Sequence, residues 1–114
     1  MSAITTHVLD TSRGRPAAGV AVVLERSGGH DTWTVVGRGD TDGEGRQRSL
    51  MPDGVPLLAG WYRLTFDTKR YFEGLGVRPF FPTIAVTFLA ADGEPHCHVP
   101  LLLSPFGYTT YRGT

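Results

Sequence analysis

The fold class of this chain is decided by residues 82–103, Pro82-Thr-Ile-Ala-Val-Thr-Phe-Leu-Ala-Ala-Asp-Gly-Glu-Pro-His-Cys-His-Val-Pro-Leu-Leu-Leu103. In the first half, apolar side chains occupy every second position from Ile84 to Ala90, as in a β-strand with one buried face. Asp92-Gly93 then forms a dipeptide typical of a tight hairpin turn. We therefore predict two strands, Pro82–Ala90 and Pro95–Leu103, joined as a hairpin.

Similar short runs, rich in β-branched and aromatic residues, recur along the whole chain between turn residues. The sequence contains 15 glycines and 8 prolines, and this punctuation is typical of a β-sandwich or barrel. The six further strands that we predict are Ile4–Asp10, Val20–Arg26, Trp33–Arg38, Arg46–Leu50, Trp61–Phe66 and Gly107–Tyr111. The prediction is an all-β fold of eight strands.

One segment, Asp67–Gly74, lacks the alternation of a strand. Asp67 or Thr68 can cap the N-terminus of a helix, and Gly74 can end it. We predict one short helix of about two turns, which is too short to be stable in isolation. Packing through Tyr71 or Phe72 must therefore hold it in place.

Size and charge restrict the classes of function. The chain has 114 residues, which we interpret as a single domain spanning residues 1–114. Lys and Arg total 11, as do Asp and Glu, so neither nucleic acid nor an anionic membrane is an expected partner. No signal peptide or membrane span is recognisable, and the lone Cys97 excludes an intrachain disulfide; we expect a cytoplasmic protein.

The pair His96 and His98 stands out as a group that could carry chemistry. On a strand the two side chains share a face, and they could chelate zinc if His7, Asp10 or Glu94 supplied a third ligand. Such a pair is more often two polar residues on a solvated strand face, and we predict no metal site. Cys97 points to the opposite face and is expected to be a small core residue.

Three other residues suggest acid–base and anion-stabilising roles. His7 is either a half-buried histidine bonded to a backbone carbonyl or a general base, because its ordinary pKa lies near neutrality. Arg46 and Arg48 follow the turn Asp40–Gly45 and would share a face. An arginine in a cleft offers a planar fork of donors to an oxygen that gains negative charge.

Three segments together resemble the transthyretin-like family, and specifically its hydrolase branch. They are Ile4-Thr-Thr-His-Val-Leu-Asp10 with Gly14-Arg-Pro-Ala-Ala18, Thr41-Asp-Gly-Glu-Gly-Arg46, and the C-terminal run from His96 to Tyr111-Arg-Gly-Thr114. Phe80-Phe-Pro82 matches as well. The closing tetrapeptide is similar to the Tyr-Arg-Gly-Ser end of the hydrolase branch, and the resemblance covers essentially the whole chain.

The resemblance implies a two-sheet sandwich of eight strands with one short helix. It implies a homotetramer, a dimer of dimers, with active sites in a channel between the dimers. The implied reaction is the hydrolytic opening of 5-hydroxyisourate, a small-molecule substrate in urate degradation, to 2-oxo-4-hydroxy-4-carboxy-5-ureidoimidazoline. No cofactor is implied.

The family's site residues carry over to named positions of this chain. His7, Arg46 and His98 would be catalytic: the histidine pair would activate water, and Arg46 would stabilise the developing charge. Substrate would be bound by His7, Arg46, Tyr111, Arg112 and Thr114, with Tyr111 against the ring. The resemblance leaves open which histidine is the general base.

An alternative within the same fold is a tetrameric carrier of a small aromatic ligand without catalysis. A carrier has no need of His7, Arg46 and His98 together, and Tyr111 would narrow its channel. Two positions depart from the family pattern near the site: Thr114 stands where serine is usual, and Cys97 where an aromatic residue is usual. Threonine retains the hydroxyl, so we expect activity to persist with altered packing.

Overall fold

A computed structural model describes residues 2–114 as nine strands and one helix. The strands are β1 (Ile4–Asp10), β2 (Arg15–Pro16), β3 (Ala21–Gly29), β4 (Thr32–Asp40), β5 (Arg46–Gln47), β6 (Gly60–Phe66), β7 (Ile84–Ala90), β8 (Cys97–Ser104) and β9 (Gly107–Thr110). The helix α1 spans Thr68–Glu73. The prediction of an all-β fold with one short helix is confirmed.

The strands form two sheets. In the first sheet the order is β2-β1-β8-β9, and β5 also pairs with β1. The second sheet has the order β4-β3-β6-β7 and is antiparallel throughout. Strands β1 and β8 run parallel although some 90 residues separate them, and their register sets Thr5 opposite His98.

The core lies between the sheets and follows from the alternation of side chains. Ile4 and Val8 of β1 face inward, and Leu24 and Leu64 of the second sheet meet them as fully buried residues. Burying a side chain of this size contributes about 1.5–3 kcal/mol. Because inward and outward positions alternate, Thr5 and His7 are directed to the opposite, outer face of the first sheet.

The helix α1 forms where the sequence predicts it. The Asp67 carboxylate accepts a hydrogen bond from the Arg70 backbone N–H at 3.1 Å, and Gly74 ends the helix. Phe72 is 1% exposed in the core, which confirms that packing holds this short element. Within residues 2–114, no helix is long and apolar enough to cross a membrane.

The structure corrects three details of the sequence prediction. The strand count is nine rather than eight because β2, with two residues, is too short to show alternation. The hairpin across Asp92-Gly93 is wrong: β7 pairs with β6 and β8 with β1, so this turn crosses from one sheet to the other. Strand β5 ends at Gln47, because the Gln47 amide oxygen accepts from the Ser49 backbone N–H at 2.6 Å and competes with strand pairing.

Candidate active site

A polar cavity of about 430 Å³ opens beside the first sheet. Its lining combines hydroxyl, carboxylate, guanidinium and imidazole groups, supplied by Thr5, Thr6, Glu44, Arg46, Arg48, His96, His98 and Thr114. Three of the residues predicted from the sequence, Arg46, His98 and Thr114, therefore meet at one cavity. A site of this composition suits a small, oxygen-rich ligand rather than an apolar one.

The pairing of β1 with β8 and β5 explains how distant residues meet. His7 lies two positions after Thr5 on the outer face of β1, and Thr5 is opposite His98 on β8. On the other edge of β1, His7 is the direct partner of Arg46. Strand β1 thus places the two histidines and the arginine on one face of the sheet.

The turn before Arg46 is built to hold this arginine in register. The Asp42 carboxylate accepts hydrogen bonds from the backbone N–H of Arg46 at 3.0 Å and of Glu44 at 2.9 Å. These bonds to the backbone of Arg46 and then of Glu44 lower the pKa of Asp42. Gly45 has a φ of 79°, and a Cβ there would collide with the Val8 carbonyl oxygen, so glycine is required.

His98 is the histidine whose environment favours the neutral form. Burial lowers its pKa, and the nearby Arg46, His96 and His7 act in the same direction. A hydrogen bond to the backbone of Thr5 opposes them without reversing the shift. At neutral pH, His98 is therefore an uncharged imidazole with a lone pair available to accept a proton.

His7 is anchored by one of its ring nitrogens. Its Nε2 lies 2.8 Å from the carbonyl oxygen of Glu44, and because a carbonyl only accepts, Nε2 carries the hydrogen. A neutral His7 then has its lone pair on Nδ1. The half-buried histidine bonded to a backbone carbonyl, which the sequence suggested, is what the structure has; the same bond also leaves a nitrogen free for acid–base work.

The last residues of the chain pack against His98. The Gly113 backbone N–H donates to the His98 carbonyl oxygen at 2.8 Å, and this bridge brings Thr114 to the cavity. A Cβ at position 113 would lie 2.6 Å from His98 Cδ2, so the absence of a side chain at Gly113 lets the chain approach the imidazole.

The structure separates two of the predicted substrate-binding residues from this cavity. Tyr111 and Arg112 line a neighbouring cavity of about 250 Å³, and His98 forms part of the wall of both. Arg112, which is exposed, pairs with the half-buried Glu94 at 2.7 Å. Within one protomer, then, Tyr111 and Arg112 line a cavity that shares His98 with the polar cavity.

Thr5 is a site residue that the sequence analysis did not single out. Its hydroxyl oxygen lies 2.8 Å from His98 Nδ1 and 3.1 Å from His96 Nε2. The sequence feature that could have identified Thr5 is its position two residues before His7, on the same face of the strand. What the sequence could not show is the parallel neighbour β8, which brings both imidazoles to this hydroxyl.

Cys97 lines the neighbouring cavity and not the polar one. It is 7% exposed on the core side of β8, as predicted, and burial raises the pKa of its thiol. Across residues 2–114, no three His, Cys, Asp or Glu side chains are grouped so that they could hold a metal ion. His96 and His98 are instead joined through the Thr5 hydroxyl.

Curated proteins include relatives that are similar to nearly the whole of this chain. A 5-hydroxyisourate hydrolase of Salmonella dublin is 44% identical over 111 residues, covering 97% of this chain and 80% of that protein. A uric acid degradation bifunctional protein of Arabidopsis thaliana is 45% identical over 97% of this chain, which spans 37% of the length of that longer protein.

Solved structures give the same fold. The 5-hydroxyisourate hydrolase of Klebsiella pneumoniae is 38% identical with a TM-score of 0.85, and all of both chains is covered. Transthyretin of Sparus aurata is 36% identical with a TM-score of 0.89, covering 99% of this chain and 97% of that one. The model of the HIUase/Transthyretin family matches residues 4–113, and the chain therefore belongs to that family.

Proposed function

We propose that this chain hydrolyses 5-hydroxyisourate to 2-oxo-4-hydroxy-4-carboxy-5-ureidoimidazoline in urate degradation. The relatives that are named hydrolases show that the chain is a hydrolase. The observation that carries the residue roles is the meeting of Arg46, His98 and Thr114 at one polar cavity, with His7 paired to Arg46. No cofactor has a part in the proposed mechanism.

In the proposed reaction His98 activates water. A neutral imidazole accepts a proton as the water oxygen attacks a ring carbonyl carbon, and the C–N bond of that cyclic amide then breaks with return of a proton to nitrogen. His98 suits the first task because burial and neighbouring positive charge keep it unprotonated. His7, with a lone pair on Nδ1, is available to orient the water or to return the proton.

Arg46 has the complementary electrostatic role. As water adds, the carbonyl oxygen gains negative charge, and a guanidinium fixed at the cavity wall stabilises it. The Asp42 turn fixes the backbone of Arg46, so the start of this side chain is held at the cavity before substrate enters. Thr114 would hold substrate through its hydroxyl, and Tyr111 and Arg112 would contact it from the neighbouring cavity.

We also propose the homotetramer, a dimer of dimers, that the family resemblance implies. The protomer exposes large apolar side chains on the free edge strands and nearby, among them Leu89, Phe106 and Tyr111. Exposed apolar surface of this kind is typical of an interface. Assembly would also enclose the cavity, which lies open in one protomer. A cytoplasmic location is part of the same proposal.

A carrier without catalysis is the second candidate, and the fold itself does not separate the two. The hydrolase and the transthyretin compared above have TM-scores of 0.85 and 0.89 to this chain. The side chains favour the hydrolase, because the cavity is lined by two arginines and two histidines rather than by apolar groups.

The test is the decay of freshly generated 5-hydroxyisourate, followed by ultraviolet absorbance with and without untagged protein. We expect a rate far above the spontaneous decay, with the ureidoimidazoline acid as the product seen by NMR. Binding of an aromatic ligand without any acceleration of this decay would reject the hydrolase and favour the carrier.

The activity should depend on pH through His98. Its lowered pKa means that the base form is present above that pKa and is lost as the pH falls through it. We therefore expect kcat/KM to fall on the acid side with a midpoint below the ordinary histidine value of about 6.5. A flat profile between about pH 5 and 8 would contradict a histidine base.

Gly113→Ala should impair the site without unfolding the protein. The new methyl group would press on His98 Cδ2 and displace the ring, so we expect kcat to fall by about tenfold or more, as misplacement of a catalytic group does. Gly107→Ala is the matched control, since its Cβ would meet its nearest atom, Ser104 Oγ, at an ordinary 3.8 Å. Equal activity of the two variants would remove this role of Gly113.

A further inference from the structure

The hydroxyl of Thr5 bridges two imidazoles at the wall of the cavity. Thr5 is 4% exposed, and its oxygen lies 2.8 Å from His98 Nδ1 and 3.1 Å from His96 Nε2. A hydroxyl has one hydrogen and two lone pairs, so it can donate to one nitrogen and accept from the other. Only two arrangements of hydrogens satisfy both contacts while the two histidines are neutral.

The two arrangements have opposite consequences for His98. In one, His98 Nδ1–H donates to Thr5 and Thr5 donates to His96 Nε2, which leaves the lone pair of His98 on Nε2. In the other, His96 donates to Thr5 and Thr5 donates to His98 Nδ1, which places the hydrogen of His98 on Nε2. In the second arrangement His98 has no free lone pair for a proton from water, because Nδ1 accepts from Thr5 and Nε2 carries the hydrogen.

The position of the Thr5 hydroxyl favours the first arrangement. In both arrangements Nδ1 is engaged by this hydroxyl at 2.8 Å, so Nε2 is the ring nitrogen left to meet a water molecule. A general base needs a lone pair on that nitrogen, which His98 has only when its hydrogen is on Nδ1. The other nitrogen, Nε2, is bonded to Cδ2, which faces Gly113 and the terminal residues.

We propose that Thr5 and His96 are positioning residues that fix the tautomer of His98, with hydrogen on Nδ1 and the lone pair on Nε2. His96 serves as the acceptor at the end of the chain His98 Nδ1–H to Thr5 Oγ1–H to His96 Nε2. This gives His96 a role that needs no metal and no contact with substrate. The choice of this tautomer and its catalytic consequence rest on the proposed hydrolase function, whereas control of the tautomer by the Thr5 hydroxyl does not.

The direct test reads the ring nitrogens of His98 by two-bond ¹H–¹⁵N correlation NMR in chelator-treated protein without substrate. Wild type should show Nδ1 protonated and Nε2 unprotonated. Thr5→Val, which keeps the shape and removes the hydroxyl, should shift His98 toward the Nε2–H form, and Thr5→Ser should restore the wild-type signature. His96→Leu should act like Thr5→Val, because it removes the terminal acceptor.

Kinetics give the second measurement. We expect kcat of Thr5→Val to fall by about 10- to 100-fold with KM little changed, the size of effect seen when an outer partner of a functional histidine is lost. Wild-type His98 in the Nε2–H form, or a tautomer unaltered in both Thr5→Val and His96→Leu, would overturn the inference. A wild-type protein without hydrolase activity would instead overturn the proposed function and leave the tautomer result intact.

Discussion

Replacing His98 by glutamine is expected to lower kcat by about 10²- to 10⁴-fold, the range that a general base supplies. Glutamine has a similar length and can still bond the Thr5 hydroxyl, but it cannot take a proton from water. Because the substitution keeps polarity and approximate volume, the fold should survive. Stopped-flow absorbance with freshly generated 5-hydroxyisourate measures the loss, and circular dichroism reports on the fold.

His30→Asn is the matched control for this experiment. His30 is an exposed histidine with a φ of 50° in the turn between β3 and β4, where asparagine is well tolerated. It should retain the wild-type rate, which would show that loss of a histidine as such does not matter. A His98→Gln protein within tenfold of wild type would transfer the role of base to His7 and require the proposed mechanism to be redrawn.

The sequence predicted the elements that depend on local pattern, namely the strands, the turns and the helix. Alternation located the long strands, and the Asp67 cap and Gly74 bounded the helix. Local pattern does not specify which strand lies beside which. The Asp92-Gly93 turn was therefore identified as a turn but wrongly assigned to a hairpin, because the crossing between sheets depends on pairing with β1 and β6.

The site residues also divide into those that the sequence predicted and those that only the fold reveals. The choice of His7, Arg46 and His98 depended on family resemblance, and the fold then places them on β1 and its two neighbours. Thr5 was missed because a threonine on a strand has no distinctive signal until two imidazoles are found beside it. Tyr111 and Arg112 were also grouped with the site by the family resemblance, and in the protomer they line the adjacent cavity.

Arg46→Ala is the second substitution with a large expected effect. Loss of one donor to a developing oxyanion costs about 10²- to 10³-fold in kcat, and we expect a fall of this size. Arg46→Lys should recover little of it, because an ammonium lacks the planar fork of donors. Arg38→Ala, an exposed arginine on β4 of the second sheet, is the control that should behave like wild type.

The same variants separate the charge of Arg46 from its geometry. Arg46 helps to lower the pKa of His98, so its removal should let that pKa rise and move the acid limb of the pH profile to higher pH. Arg46→Lys keeps the positive charge and should keep the limb near its wild-type position while kcat stays low. Guanidinium ion added to Arg46→Ala should restore part of the rate, since the vacated space can admit it. An unmoved acid limb in Arg46→Ala, with no rescue, would mean that Arg46 supports the fold of the β5 edge rather than the reaction.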